Sequence, residues 1–317
     1  MIGADEIFEV DVLLATFNGA QYLEEFLNSL KLQRGVKIHL IVGDDGSQDD
    51  TLNIIRKHEE SFFKLTVILG PHRGPAANFL NLLNYSQFPY AAFADQDDVW
   101  HSHHLIDAIS TISQEGHVPQ MFFSCVLEFG VKLNNYRIWP PLKSAPTIQD
   151  FFFQNYARGC TIVMNKSLVQ LSRIDVDVDR IVMHDWWIAL IAYSCGQVFF
   201  SRDPHIMYRL HANNTIGNKR QKRSITIKRI LMGEWKPHSQ LSYLSELFSS
   251  ASNPMANSAV LEVLQLFDLP FRRRVHFIVN KKIRFRHNYF DECKLRMLML
   301  IYPIFLKKNQ NVKLRLN

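Results

Sequence analysis

Asp95, Asp97 and Asp98 place three carboxylates within four residues, directly after the small apolar run Ala91-Ala92-Phe93-Ala94. Such a run reads as a buried strand, and a carboxylate cluster at its end loses hydration and repels itself unless a cation offsets the cost. Hard oxygen donors favour Mg2+ or Mn2+, commonly shared between one or two carboxylates and the phosphates of a substrate. A helix N-cap at Asp97 or Asp98, ahead of a segment beginning near His103, accounts for one aspartate but not for three. Asp44-Asp45, before Gly46-Ser47, is a second acidic pair, which in the simplest case only shapes a turn. Asp185, in Met183-His184-Asp185-Trp186-Trp187, is flanked by aromatics at the start of an apolar helix. Those surroundings disfavour its charge and suit a general base, with a helix N-cap as the alternative.

The elements that must carry these groups follow an alternating pattern. Val10 to Ala15 is an apolar run broken by one Asp, as expected of a strand covered on both faces. Ala20 to Leu32 spaces Tyr22, Leu23, Phe26, Leu27 and Leu30 as an amphipathic helix. Strands at Ile38 to Val42, Lys64 to Leu69 and Tyr90 to Ala94 alternate with helices opening at Asp49-Asp50 and running from Pro75 to Tyr85. This order implies right-handed βαβ crossovers and a largely parallel sheet, with ligands beyond the carboxyl ends of the strands. Those ends carry Thr16-Phe17-Asn18, Asp44-Asp45 and the triple-aspartate segment, so they converge on one crevice. After about residue 115 come strands around Met121 to Phe129 and Cys160 to Met164, and helices near Lys166 to Ser172 and Asp185 to Cys195. Basic amphipathic helices follow Gly217, separated at Ser249 to Pro254 and near Pro270.

Composition narrows the function classes. The four cysteines are widely spaced without a CxxC pair, which suggests neither a disulfide framework nor a zinc site. No secretory signal pattern opens Met1 to Val10, and the apolar run Met297 to Leu306 is about half of the ~20 residues a spanning helix needs. Neither a G-x-G-x-x-G nor a G-x-x-x-x-G-K-[ST] motif occurs, which disfavours nicotinamide enzymes and P-loop ATPases. Charge is divided: residues 1–217 hold 16 Lys/Arg against 24 Asp/Glu, and residues 218–317 hold 20 against 6. An acidic body with a basic tail is the result. Ile225 to Trp235 and Phe271 to Arg286 mix basic and apolar residues in the proportions of an anionic membrane surface binder, or of helices that simply pack on the body.

Val12-Leu13-Leu14-Ala15-Thr16-Phe17-Asn18-Gly19, Val42-Gly43-Asp44-Asp45-Gly46-Ser47 and Phe93-Ala94-Asp95-Gln96-Asp97-Asp98-Val99-Trp100 resemble the successive motifs of family 2 glycosyltransferases of the GT-A fold. The resemblance covers roughly residues 9 to 217. Within the family the chain is most similar to bacterial rhamnosyltransferase-like enzymes of O-antigen, lipopolysaccharide and capsule assembly, where the D-Q-D-D-x-W form is common. The resemblance implies a Rossmann-like α/β catalytic domain over residues 1–217 and a mainly helical, basic C-terminal region over residues 218–317. It implies an inverting, metal-dependent transfer from a dTDP- or UDP-linked sugar to a lipid-linked glycan, at the cytoplasmic face of the inner membrane and without nucleic acid.

The same resemblance assigns roles. Thr16, Asn18, Asp44 and Asp45 would line the nucleoside pocket, with Asp44 accepting from a base N–H. Arg73 would approach the diphosphate or base. Asp95 would face the ribose, and Asp97 the Mg2+ or Mn2+. Tyr208-Arg209-Leu210-His211 resembles the segment closing the catalytic domain, where His211 completes the metal shell and Arg209 offsets phosphate charge. Gly159 and Cys160 would face the acceptor. Trp186, Trp187 and Trp139 are candidates for stacking on sugar rings, though they serve equally as core residues. His101-Ser102-His103-His104 reads as a solvated first helical turn. A sugar nucleotidyltransferase is a rival reading, but it needs a Gly-rich, basic loop after the first strand. A non-enzymatic membrane or polyanion binder is another, and it leaves Asp95, Asp97 and Asp185 unexplained.

Overall fold

The computed structural model describes residues 7–112, 118–130, 136–173, 175–211, 235–249, 258–280 and 289–313. The chain divides into two compact units: Met1–Pro146, Tyr156–Val178 and Met183–His211 form one, and Thr147–Asn155, Asp179–Val182 and Ala212–Asn317 the other.

The first unit is built on a nine-stranded sheet. Its strands are β1 (Phe8–Thr16), β2 (Val36–Asp44), β3 (Lys64–Leu69), β4 (Tyr90–Asp95), β5 (Val99–Trp100), β6 (Gln120–Gly130), β7 (Arg137–Trp139), β8 (Val163–Asn165) and β9 (Gln197–Leu210). The order is β3-β2-β1-β4-β8-β6-β9-β5, with β7 attached to β6. β3, β2, β1 and β4 are parallel, whereas β8 runs antiparallel to both β4 and β6. The architecture is the mixed α/β sheet flanked by helices that the resemblance implies. Helices α1 (Ala20–Lys31), α2 (Thr51–Lys57), α3 (Pro75–Leu83), α4 (His104–Thr111), α6 (Lys166–Ser172) and α7 (His184–Cys195) belong to this unit; α5 (Ile148–Phe151) belongs to the other.

Register sets the site. Thr16 pairs with Asp44 across β1 and β2, and Ala15 with Asp95 across β1 and β4. The connection from β1 leads one way to β2 and β3, and the chain then returns to β4 on the other side of β1. A crevice opens at such a switch point, beyond the strand ends.

The aspartate that interrupts the apolar run of β1 is fully buried and fully partnered. Asp11 Oδ1 meets His39 Nδ1 at 2.8 Å, and Oδ2 accepts from Ser86 Oγ, Gln87 N and Phe88 N at 2.9, 2.6 and 2.7 Å. It therefore ties β1 to β2 and to the turn before β4. Asp11→Ala strips this network and leaves buried donors unpaired, so urea unfolding is expected to show a loss of about 3–5 kcal/mol.

The α1 spacing behaves as expected, with Leu23, Phe26, Leu27 and Leu30 buried. α7 is buried continuously from His184 to Ala192, as an all-round apolar helix must be. One strand expectation needs correction. Gly159–Thr161 forms a 3-10 turn, closed by Thr161 N and Ile162 N on Arg158 O and Gly159 O, and β8 begins only at Val163. β9 extends over Gln197–Leu210, and its pairing with β6 shifts register between Ser124 and Val126.

In the second unit lie α8 (Lys236–Ser249), α9 (Ser258–Asp268), α10 (Phe271–Asn280) and α11 (Tyr289–Lys313). Trp235 stacks on Phe153 at 5.2 Å and meets the edges of Phe267 and Tyr302. Arg180 holds Glu246 through two bonds of 2.6 and 2.7 Å and lies over Tyr243. The expected helix from Ile225 lies outside the described residues, apart from Trp235, as do Lys281, Lys282, Arg284 and Arg286. Among the described residues no helix is long and apolar enough to cross a membrane.

Candidate active site

At the carboxyl edge, Asp44 and Asp45 build the framework. Asp44 is buried; its Oδ1 accepts from Thr16 Oγ1 and Ser47 Oγ at 2.8 and 2.6 Å, and its Oδ2 from Gly46 N and Ser47 N at 3.1 and 2.8 Å. A carboxylate offers about four acceptor sites, and all are filled. In this arrangement Asp44 folds the turn, which Gly46 completes at φ 92°. Asp45 accepts from His72 N and Gly74 N, both at 3.2 Å, and so fixes exposed Arg73 between two pinned neighbours at the crevice rim.

Asn18, at φ 46°, donates its N–H to Ser47 Oγ and accepts Gln48 N through Oδ1, so it joins the loops after β1 and β2. The first backbone N–H groups around α1 are met from the β2–α2 loop, Gly19 N by Thr51 Oγ1 and Ala20 N by Asp49 Oδ2. Gln96 bonds Phe17 through both its amide atoms, at 3.0 and 3.1 Å, and bridges the loop after β1 to the acidic loop after β4.

In that acidic loop the three aspartates diverge. Asp97 keeps some exposure and meets His211 Nε2 through Oδ2 at 2.6 Å, while His211 lies against Tyr22 with ring centroids 5.0 Å apart. Asp98 has no exposed surface; Oδ1 accepts from Arg209 N at 3.1 Å, and the Cys160 thiol bonds its carboxyl. Burial, with Asp97 and Asp95 adding repulsion, holds Asp98 well above the usual carboxylate range. Burial first, then repulsion from Asp97 and Asp185, pushes Asp95 up to about 7, with Arg158 acting in the opposite sense. So the cluster resists full ionisation on its own, which is the condition a divalent cation relieves.

The donor set suits Mg2+ or Mn2+. Asp95, Asp98 and Cys160 offer atoms within 4.8 Å of one another. Burial and the neighbouring carboxylates raise the Cys160 thiol well above its ordinary range, so it stays protonated and is a poor ligand. The partly exposed carboxylates of Asp95 and Asp97 and the imidazole of His211 remain as hard and borderline donors.

Asp185 sits in the first turn of α7, whose N-cap is Met183, so the cap alternative falls away. Its Oδ1 accepts Trp186 N at 2.7 Å, and its charge acts on Asp95. Gly159 gives it room: a Cβ there would stand 2.9 Å from His184 Nε2 and 3.6 Å from Asp185 Cβ. Gly159→Ala is therefore expected to displace His184, the residue before Asp185 in the first turn of α7, and to cut turnover about tenfold or more, read as kcat in a transfer assay.

His184 packs rather than reacts. It stacks on Phe79 at 4.0 Å and meets the edge of Phe93, and burial lowers its pKa to about 3. Several aromatic and acceptor expectations are corrected on the same ground. Trp187, on the enclosed helix α7, and Cys160, in the 3-10 turn, have no exposed surface and present no face to an acceptor, while Gly159 and Trp186 are buried beside Asp185. Trp139 is covered by Arg158. His104 is not solvated but fully buried, edge-on to Trp100 at 4.7 Å, and burial drives its pKa down to about 3. Arg209 donates Nε to Asp97 O and a terminal nitrogen to Glu25, between the rings of Tyr22 and Phe129. It orders the acidic loop.

The family model described as Glycosyl transferase family 2 matches residues 11–169, half of the chain, and ends within α6. The chain belongs to glycosyl transferase family 2. As a member it is an enzyme of the glycosyltransferase class, with relatives in polysaccharide biosynthesis. It is 28% identical over 216 residues to the dTDP-rhamnosyl transferase RfbG of Shigella flexneri, covering 64% of this chain and 73% of that one. The crystal structure of Staphylococcus aureus TarS matches with a TM-score of 0.57 at 16% identity, over 95% of this chain and 54% of TarS; its 1–349 portion in complex with UDP-GlcNAc matches at 0.56 and 17%, over 95% and 89%. The mannosyltransferase PcManGT of Pyrobaculum calidifontis, in complex with GDP-Man and Mn2+, matches at 0.53 and 15%, over 96% and 87%. These structural likenesses are of fold.

In this family 2 glycosyltransferase Thr16 lies opposite Asp44, and Asp95 one position back opposite Ala15, while Asp97 contacts His211 and the charge of Asp185 acts on Asp95. Sequence reading missed two partners of that edge. Gln96 stands inside the D-Q-D-D run and was legible as its non-ionic member. Glu128 is not legible at all, because its pairing with Arg158 and Arg137 depends on the fold.

Proposed function

We propose that this chain is an inverting, metal-dependent glycosyltransferase that moves a sugar, rhamnose favoured, from a dTDP- or UDP-linked donor to a hydroxyl of a lipid-linked glycan in O-antigen, lipopolysaccharide or capsule assembly. The observation that supports the reading is the contact of Asp97 with His211 at 2.6 Å, in the loop that follows Asp95 at the carboxyl end of its strand, with the charge of Asp185 acting on Asp95. Likeness to a dTDP-rhamnosyl transferase favours the sugar and the base.

In this reading Thr16 and the Asp44–Asp45 framework shape the nucleoside side of the crevice, and Arg73 at the rim faces the base or diphosphate. Asp95 meets the ribose. Asp97 and His211 hold Mg2+ or Mn2+, which when bound supplies Lewis-acid neutralisation of charge on the departing diphosphate. Asp185 takes the proton of the acceptor hydroxyl as its oxygen attacks the anomeric carbon opposite the leaving group. One displacement inverts configuration, and no covalent intermediate forms. The discriminating experiment incubates the enzyme with dTDP-rhamnose and with UDP- and GDP-linked sugars in the presence of Mn2+, and follows thermal midpoint and donor consumption. Stabilisation by dTDP-rhamnose above the others supports the donor assignment; preference for a GDP-sugar overturns it.

Residues 1–217 act in this reading as the catalytic domain, and residues 218–317 as a basic extension at the anionic cytoplasmic surface of the inner membrane. Supporting this, Phe290, Met297 and Ile301 recur at i, i+7 and i+11 on α11 as an exposed apolar stripe, and α10 carries exposed Phe271, Arg272 and Arg273. Phe290→Ser with Met297→Ser is expected to weaken binding to phosphatidylglycerol-containing vesicles about tenfold or more in sedimentation, from the loss of ~2 kcal/mol or more of apolar burial. Equal binding by both forms excludes this face.

A further inference from the structure

Beside the acidic loop, one row of residues crosses β7, β6 and β9. Glu128 of β6 pairs in register with Arg137 of β7 on one side and Tyr208 of β9 on the other. Glu128 is 1% exposed, yet it holds two cations: Arg137 reaches Oε2 from Nε at 2.7 Å, and Arg158 reaches Oε1. Arg137 is 63% exposed at its side chain, so its charge is largely screened, whereas Arg158 is 18% exposed.

The Arg158 guanidinium is clamped between two rings, 3.8 Å from the centroid of Tyr208 and 4.3 Å from that of Trp139. Its position in the chain puts it two residues before Cys160, which adjoins Asp95 and Asp98, and Tyr208 precedes Arg209, whose N–H bonds Asp98. Its Nε has no hydrogen-bond partner among the described residues. The result is a rigid cation, immobilised by an ion pair and two aromatic faces, at the wall of a carboxylate cluster.

A fixed cation there does two opposing things. It offsets negative charge at Asp95, and it opposes a doubly charged ion that approaches the cluster. We propose that Arg158, locked by Glu128 between Trp139 and Tyr208, is a positioning residue whose charge keeps divalent-ion affinity low in the free enzyme, so that the ion is held firmly only together with the donor diphosphate. This rests on the metal reading of Asp97 and His211 given above. The diphosphate supplies the negative charge that Arg158 has partly cancelled, and so the ion and the donor reinforce each other's binding.

The test reads Mn2+ binding itself, by the loss of the free-ion electron paramagnetic resonance signal, first with Mn2+ alone and then with Mn2+ and dTDP. Arg158→Met is expected to tighten the binding of Mn2+ alone about three- to tenfold and to shrink the enhancement by dTDP. Arg158→Lys, which keeps the charge, is expected to stay within about twofold of wild type. Glu128→Gln, which leaves Arg158 less compensated, is expected to weaken Mn2+ binding severalfold. Damage to the fold weakens ion binding in every variant, so a tightening has the sign that a merely structural role does not produce; thermal midpoints identify any variant that fails to fold, and Glu128→Gln and Arg158→Lys then decide. Unchanged or weaker Mn2+ binding in folded Arg158→Met, or unchanged binding in Glu128→Gln, overturns the assignment. Wild-type enzyme that binds no Mn2+ even with dTDP overturns instead the metal reading on which it rests.

Discussion

Asp185→Asn is expected to abolish sugar transfer while leaving donor affinity within a few-fold of wild type. The amide keeps the shape of the carboxylate and its acceptor oxygen for Trp186 N, but it takes up no proton at neutral pH. A positioned base contributes about 10²–10⁴-fold to such a step, and the loss falls on kcat because the acceptor proton moves only as the bond forms. Donor affinity is expected to hold because the groups assigned to nucleoside and ion hold one another, Thr16 with Asp44 and Asp97 with His211. Calorimetric titration of dTDP-rhamnose with Mn2+ into the variant checks the binding half, and a discontinuous assay of released dTDP checks the rate half. A variant that loses donor binding outright shows that Asp185 belongs to the donor side of the crevice.

Asp97→Asn carries the second large effect. Asp97 is the aspartate of the cluster that both keeps exposed surface and faces an imidazole, at 2.6 Å from His211 Nε2. Removal of that charge is expected to weaken Mn2+ binding about 100-fold or more, and transfer with it, since even outer partners of metal ligands cost about 10–100-fold. His211→Ala is expected to cost less, about 10–100-fold, because Asp95 and Asp97 still offer oxygen donors. Arg209 fixes the backbone on which Asp97 stands, through Asp97 O and Asp98 Oδ1, so its substitution shifts the same balance indirectly. Equal effects of Asp97→Asn and of Asp98→Asn contradict the assignment, because Asp98 has no surface from which to reach a substrate.

The first half of the fold is legible because local pattern and tertiary role agree there. Val10 to Ala15 and Tyr90 to Ala94 are apolar on both faces, the helices between them have one buried face, and the acidic groups fall where a parallel sheet opens. Legibility ends where polar residues are buried for long-range reasons. Asp11 reads as an interruption until its four partners are seen, and His104 reads as solvated until α4 turns it inward with Leu105 and Ala108. The polar stretch Arg202-Asp203-Pro204 conceals β9, since its strand is sustained by the register with β6 rather than by its own propensity. Arg158 belongs to the same class: Glu128, Trp139 and Tyr208 lie on three strands far apart in sequence, and only their pairing creates the clamp. Asp44 is the converse case, legible as a site residue by resemblance and yet saturated by its own turn.

The linkage between ion and donor tests the central claim most directly. Titration of dTDP-rhamnose into the wild-type enzyme by calorimetry, with and without saturating Mn2+, is predicted to give one site per chain whose affinity rises at least about tenfold with the ion. Affinity that is the same in both titrations, or no binding of any nucleotide sugar in either, contradicts an acidic crevice that grips a diphosphate through a divalent cation.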